Sequence, residues 1–220
     1  QEIERLNINF LKPDINFSDP LFSIEINDNL KSIRFGLAAI KGVGLKSISS
    51  MVDERNKNGK FKSIIDFMNR VSKEVINKRQ LEKLIQAGAF DSIETNRSKL
   101  FNNVPKFVEL FGGEKNFNQD MLFEENEISF EDKNLFNQNY EKWKNTEILS
   151  NELEVIGFYF SDHPLNHYPK KFFELENVMS FKNYSEYYTS NVIKVCGAIL
   201  DIKERSNKDD KKYAFITVSE

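Results

Sequence analysis

One cysteine, two histidines and a single tryptophan in 220 residues leave little room for disulfide or metal chemistry. Cys196 has no partner for an internal disulfide, and its β-type apolar neighbours make it a core residue. His163 and His167, four apart, could share a helix face, but Pro164 stands between them and no third ligand is near. No structural metal is therefore expected. No apolar run approaches the roughly 18 residues that a membrane-spanning helix needs. Nor is there a basic start leading into an apolar stretch, the mark of a secretory signal. A reducing, cytoplasmic setting with no membrane partner follows. The chain also lacks an initiating methionine. It opens at Gln1 and stops at Glu220, directly after an apolar run, which predicts a piece cut from a longer protein.

Packing material is plentiful. Hydrophobic residues make up 40% and aromatics 13%, with 20 Phe, so ordered cores are expected over one or two domains. The net charge of −3 conceals a division. Lys31 to Lys106 carries 16 Lys/Arg against 7 Asp/Glu, whereas Phe107 to His163 carries 4 against 13. The first block has the charge to meet phosphates and the second does not.

The hydrophobic period changes along the chain. Phe22–Ile26 and Ser32–Gly36 alternate around Asn27-Asp28-Asn29 and read as a β-hairpin. A short helical piece, Leu37–Ile40, follows. Helical spacing then runs through Leu45, Ile48, Met51 and Val52, with Gly59 as a stop, and again from Ser63 to Val71. A third run covers Asn77–Gln86, with Asn77 as N-cap, and a fourth extends from Thr95 to about Leu110. Gly, Asn and acidic residues dominate 112–140, a linker by composition. Helical patterning returns from Tyr140 to Phe160. Val192–Leu200 and Tyr213–Val218 read as strands around a polar turn from Lys203 to Lys212. The expected fold is mostly α with β at both ends.

Two segments carry chemistry. In Ile40-Lys-Gly-Val-Gly-Leu-Lys46, Gly42 and Gly44 bring bare backbone to the surface, and the following helix directs its unpaired amides and positive dipole end outward. Val43 plugs the core, and Lys41 and Lys46 flank the turn with positive charge. Such a turn grips phosphate without reading bases, unless its glycines serve only an αα-turn. An imperfect second copy, Gln86-Ala-Gly-Ala-Phe90, follows Lys78 and Arg79. It has one glycine where the first has two and is read as a packing partner. The second segment lies in the acidic linker, where Gln119-Asp120-Met121-Leu122-Phe123 places an amide beside two adjacent apolar anchors. It resembles the bacterial sliding-clamp-binding peptide: Gln119, Leu122 and Phe123 match, while Asp120 and Met121 differ in order from the commonest form. The linker carboxylates Glu124, Glu125 and Glu127 are read as solvation.

The two hairpins in tandem resemble a helix-hairpin-helix DNA-binding domain. Together with Leu11–Asn16, Ile33–Gly44, Asn77–Asp91 and Glu154–Leu165, in this order and spacing, they make the chain similar to the bacterial replicative polymerase family, the DNA polymerase III alpha subunits. That resemblance implies a layout: the end of a fingers domain over 1–35, a tandem helix-hairpin-helix domain over 36–111, and a flexible linker with the clamp peptide over 112–140. A helical connector over 141–190 and the start of an OB-fold over 191–220 complete it. It implies duplex primer–template DNA, the sliding clamp (the beta subunit) and other replisome subunits as partners. The family's catalytic aspartates and the magnesium they use would lie upstream of Gln1, so no catalytic residue and no cofactor are expected here. An error-prone paralogue, or another replication or repair enzyme with such hairpins, is the alternative.

Overall fold

A computed structural model describes residues 8–27, 30–72, 74–111, 139–175, 178–179 and 193–220. The peptide Gln119–Phe123 lies outside the described residues. The chain divides into two compact units, residues 1–145 and 146–220.

The first unit opens with a three-stranded sheet: β1 (Asn9–Leu11), β2 (Ser23–Asn27) and β3 (Leu30–Arg34), in the order β1-β3-β2. β2 and β3 form the expected antiparallel hairpin, with Ile24 opposite Ile33. β1 is an addition to the sequence reading. It runs parallel to β3, with Phe10 opposite Ile33, and the rings of Phe10, Phe22 and Phe35 cluster beside it.

A 3-10 turn (Leu37–Ala39) leads to four helices: α1 (Leu45–Asn58), α2 (Ile64–Arg70), α3 (Lys78–Gln86) and α4 (Arg97–Phe111). Their buried faces repeat at helical spacing: Ile48, Met51 and Val52 on α1, and Leu81, Leu84 and Ile85 on α3. Phe67 joins these layers, its ring meeting Phe61 and Phe90 edge to face with both centroids at 5.0 Å. The piece expected as a helix over Leu37–Ile40 is a single 3-10 turn, because Gly42 and Gly44 follow too closely for α-helical bonding to continue.

The segment between β1 and β2 is bonded into the helices. Ile15 donates its amide to the Ala89 carbonyl at 2.8 Å. The Asn16 side chain accepts from the Phe61 amide at 2.8 Å and donates to the Phe61 carbonyl at 2.9 Å. Buried Arg55 donates to the carbonyls of Ile15 and Ser18. These bonds cross the 35/36 division that the sequence suggests. At the far end of the unit, the Asn96 side chain donates to the Tyr140 carbonyl and Trp143 packs on Phe101 of α4, with centroids 5.5 Å apart.

The second unit contains α5 (Asn145–Val155), which begins at the last residue of the first, a 3-10 turn (Pro164–His167), α6 (Lys170–Leu175) and two small sheets. The helix expected over 140–160 is shorter than its apolar pattern because Gly157, at φ +97°, ends it. Glu152, fully buried on α5, accepts from the amides of Phe160 and Ser161 and from the Ser161 hydroxyl, which fixes the next loop. β4 (Val178–Met179) pairs parallel with β5 (Lys194–Val195), and β6 (Ala198–Ser206) pairs antiparallel with β7 (Lys212–Ser219). The tail strands run further than their apolar cores, so the turn is confined to Asn207–Lys211, where the Asn207 side chain accepts from two backbone amides.

Candidate nucleic-acid interface

The turn before α1 forms because Gly42 takes φ +82°, a backbone shape costly for a residue with a Cβ. Val43 then donates its amide to the Ile40 carbonyl and drops its side chain into the core, 7% exposed. Gly44 is the N-cap of α1 and has no side chain to offer the helix. The first ladder bond runs from the Ile48 amide to the Gly44 carbonyl, so the amides of Leu45, Lys46 and Ser47 precede the helical ladder. Lys41, Gly42, Gly44 and Lys46 are all exposed around them.

The start of α3 lies against this turn. Asn77 and Gln80 form a capping box: the Gln80 amide donates to the Asn77 side chain at 3.0 Å, and the Gln80 side chain accepts from the Asn77 amide at 3.1 Å. The same Gln80 side chain donates to the Ser47 hydroxyl at 3.2 Å. A Cβ placed on Gly44 would sit 3.5 Å from Gln80 Nε2, and one on Gly42 would sit 3.9 Å from Lys83 Cγ. Two helix N-termini thus stand side by side. Lys78 and Arg79, both exposed, occupy the first two positions of α3, with Lys78 4.0 Å from Glu82. The structure therefore brings together Lys41, Gly42, Gly44 and Lys46 with the α3 turn that carries Lys78 and Arg79.

The second turn differs from the first. Gly88, at φ +76°, closes α3 with its amide bonded to the Ile85 carbonyl, and the Ala89 amide bonds to the Leu84 carbonyl. Residues 84–90 are all buried. The absent Gly88 side chain leaves space for the Arg97 guanidinium, which would lie inside contact distance of a Cβ there. Arg97 is 6% exposed and makes a two-pronged ion pair with Asp91, at 2.9 and 2.6 Å. This turn holds a buried cation and offers no open backbone to a ligand.

Sequence reasoning missed Gln80 and Ser47, although Asn77-x-x-Gln80 is a capping-box spacing. It also placed Leu45 on the buried face of α1, whereas this side chain is exposed. His163 Nε2 lies 2.7 Å from Ser219 Oγ and His167 pairs with Asp162 at 3.3 Å. Among the described residues no group of three or more His, Cys, Asp or Glu is placed to hold a metal ion, and no helix is long and apolar enough to cross a membrane.

Comparison with known proteins agrees with this geometry. A family model described as a helix-hairpin-helix motif matches residues 7–100. The chain is 40% identical over 174 residues to the DNA polymerase III subunit alpha of Borreliella burgdorferi, a match covering 77% of this chain and 15% of that protein. It is 35% identical over 214 residues to that of Neisseria meningitidis, covering 97% and 18%. To that of Campylobacter jejuni it is 31% identical over 220 residues, covering 99% and 18%. The chain thus spans less than a fifth of the length of these relatives. Nearly end to end, the chain is similar to a segment of DNA polymerase III alpha subunits, and its first half matches a helix-hairpin-helix motif.

Proposed function

We propose that this chain is a non-catalytic segment of a replicative DNA polymerase that grips duplex DNA by its backbone and ties the enzyme to a sliding clamp. The observation that carries the first half is the open turn Lys41–Lys46, with the bare amides of α1 beside the basic first turn of α3. Amides, a helix dipole and mobile cations recognise phosphate, which every nucleotide carries, so the grip is indifferent to base sequence. The second half rests on Gln119, Leu122 and Phe123, whose order resembles a clamp-binding peptide. Tethering to a ring raises the effective concentration of enzyme on DNA, so a weak peptide contact suffices to keep it there. Nucleotide addition, its magnesium and contacts with other replisome subunits are assigned to the parent enzyme in the cytoplasm. No catalytic residue or cofactor is assigned to this segment.

Fluorescence anisotropy with two duplexes of unrelated sequence tests the first half. Equal affinities that fall steeply with salt are expected, and a marked preference for one duplex or an absence of binding at low salt would overturn it. Binding to the cognate clamp, compared with a Gln119→Ala/Leu122→Ala/Phe123→Ala variant, tests the second. Loss in the variant is expected, and equal binding by both proteins would remove the peptide from the proposal.

A further inference from the structure

Leu45 occupies the first position of α1, directly after the Gly44 cap and directly before Lys46, and is 51% exposed. Its spacing from Ile48 and Met51 places it on their side of the helix, yet those two are fully buried. Among the described residues between 36 and 109, it is the one large apolar side chain in the exposed class. A solitary exposed leucine is ordinary on a protein surface. This one is distinguished by its company: exposed Lys41 and Lys46, the open backbone of Gly42 and Gly44, and Gln80 reaching across from α3. A free inorganic anion would be held by the cations and amides alone and has no use for an apolar group at their centre. A nucleic-acid strand does, because successive phosphates are separated by a sugar whose C–H edges face outward.

We propose that Leu45 packs on a deoxyribose of the strand whose phosphates meet the first-turn amides of α1. The contact excludes water from the neighbouring phosphate bonds and sets how deeply the turn seats on the duplex. It rests on the duplex-binding reading above and deepens it. Every nucleotide offers the same sugar, so the contact adds affinity without sequence preference. It also neutralises no phosphate, so it leaves the number of counterions released unchanged.

The test is a salt titration of duplex binding by the 220-residue chain, comparing wild type with Leu45→Ala, Leu45→Met and Lys46→Ala. Leu45→Ala is expected to weaken binding roughly three- to tenfold at every salt concentration, the range for shielding about half a leucine side chain. The slope of log affinity against log salt stays at the wild-type value, and Leu45→Met retains most of the affinity. Lys46→Ala is expected to reduce that slope by about 0.9, the share of one phosphate contact. If wild type binds steeply with salt but Leu45→Ala matches it, the sugar contact is wrong while the duplex grip stands. A reduced slope in Leu45→Ala would overturn the contact as well, since the loss would then lie in phosphate bonds. No binding by wild type sinks the duplex reading itself.

Discussion

Gln80 joins the two helix starts of the candidate interface: it caps its own helix through Asn77 and gives its side-chain amide to the Ser47 hydroxyl of α1. Replacing Gln80 with Ala keeps the Asn77 cap on the backbone amide of residue 80 but removes both side-chain bonds, and is expected to destabilise the first unit by about 1 kcal/mol. A Ser47→Ala/Gln80→Ala double-mutant cycle is expected to give a coupling of about 0.5 kcal/mol. Trp143 is the single tryptophan and packs on Phe101 within this unit, so its fluorescence during urea unfolding supplies the measurement. Zero coupling would mean that the two helix starts are held in place by other contacts.

The four cations of the interface are expected to act additively on the salt dependence. Alanine at Lys41, Lys46 or Arg79 lowers the slope of log affinity against log salt by about 0.9 each, provided each meets one phosphate of B-form DNA. Lys78 shares its charge with Glu82 and is expected to contribute less. Slopes unchanged in all four variants would place the DNA elsewhere on the chain.

Gly42 and Gly88 both have positive φ, but their surroundings predict different penalties. At Gly42 the nearest atom to a new Cβ is 3.9 Å away, so Gly42→Ala carries only the backbone term, about 1–2 kcal/mol. At Gly88 a Cβ also collides with the Arg97 guanidinium and disturbs its pair with Asp91. Asp91 is part-exposed, so the loss is smaller than for a fully buried pair, but it adds to the backbone term and Gly88→Ala is expected to be the more damaging, read as the lower unfolding midpoint. Equal unfolding midpoints would contradict this.

Acid is expected to weaken the first unit. Hydrogen bonding from Arg34 holds the Glu25 carboxyl below its ordinary value of 4.5, and bonds from Asn58 and Arg70 do the same for Glu54. Burial works against Glu94, but bonds from the Asn96 amide and Lys99 outweigh it and leave this carboxyl lowered too. A lowered carboxyl binds protons more tightly unfolded than folded. Its stabilisation is present above about 4.5 and disappears as pH falls through the folded value. Asp14 has the opposite sign. Burial raises it above 3.8, so its share is present at low pH and is lost as pH rises through the folded value. Denaturation midpoints between pH 7 and pH 3 are therefore expected to fall, less steeply in Glu25→Gln and more steeply in Asp14→Asn. The reverse ordering of those two variants would refute the assignment.

What could be read from the sequence was mostly local. The 3.6-residue spacing of Ile48, Met51 and Val52 and of Leu81, Leu84 and Ile85 marked helices that exist, and the alternation around Asn27–Asn29 marked a real hairpin. Asn77 was legible as a cap because capping depends on three neighbouring residues. What escaped depends on partners distant in sequence. β1 is three residues long and exists because residue 33 pairs with residue 10. The Gln80–Ser47 bond spans 33 positions. Leu45 satisfied the helical period and still lies outside, because periodicity gives an angle around a helix and not the depth of the core beneath it. Buried Arg97, paired with Asp91, shows the same limit, since nothing in a basic block distinguishes a cation that faces solvent from one enclosed under a glycine.

The segment from Asp14 to Asp19 is pinned to three separate places: the Ala89 carbonyl, both backbone groups of Phe61, and the Arg55 guanidinium on α1. In mechanical terms this is a strut with its fastenings loaded in parallel. A tug or twist arriving along β1 is delivered at once to α1, to the approach of α2 and to the turn after α3. No one fastening can yield without straining the others. A displacement at β1 therefore steers the Lys41–Lys46 turn as a rigid lever would, with little slack between the hand and the blade.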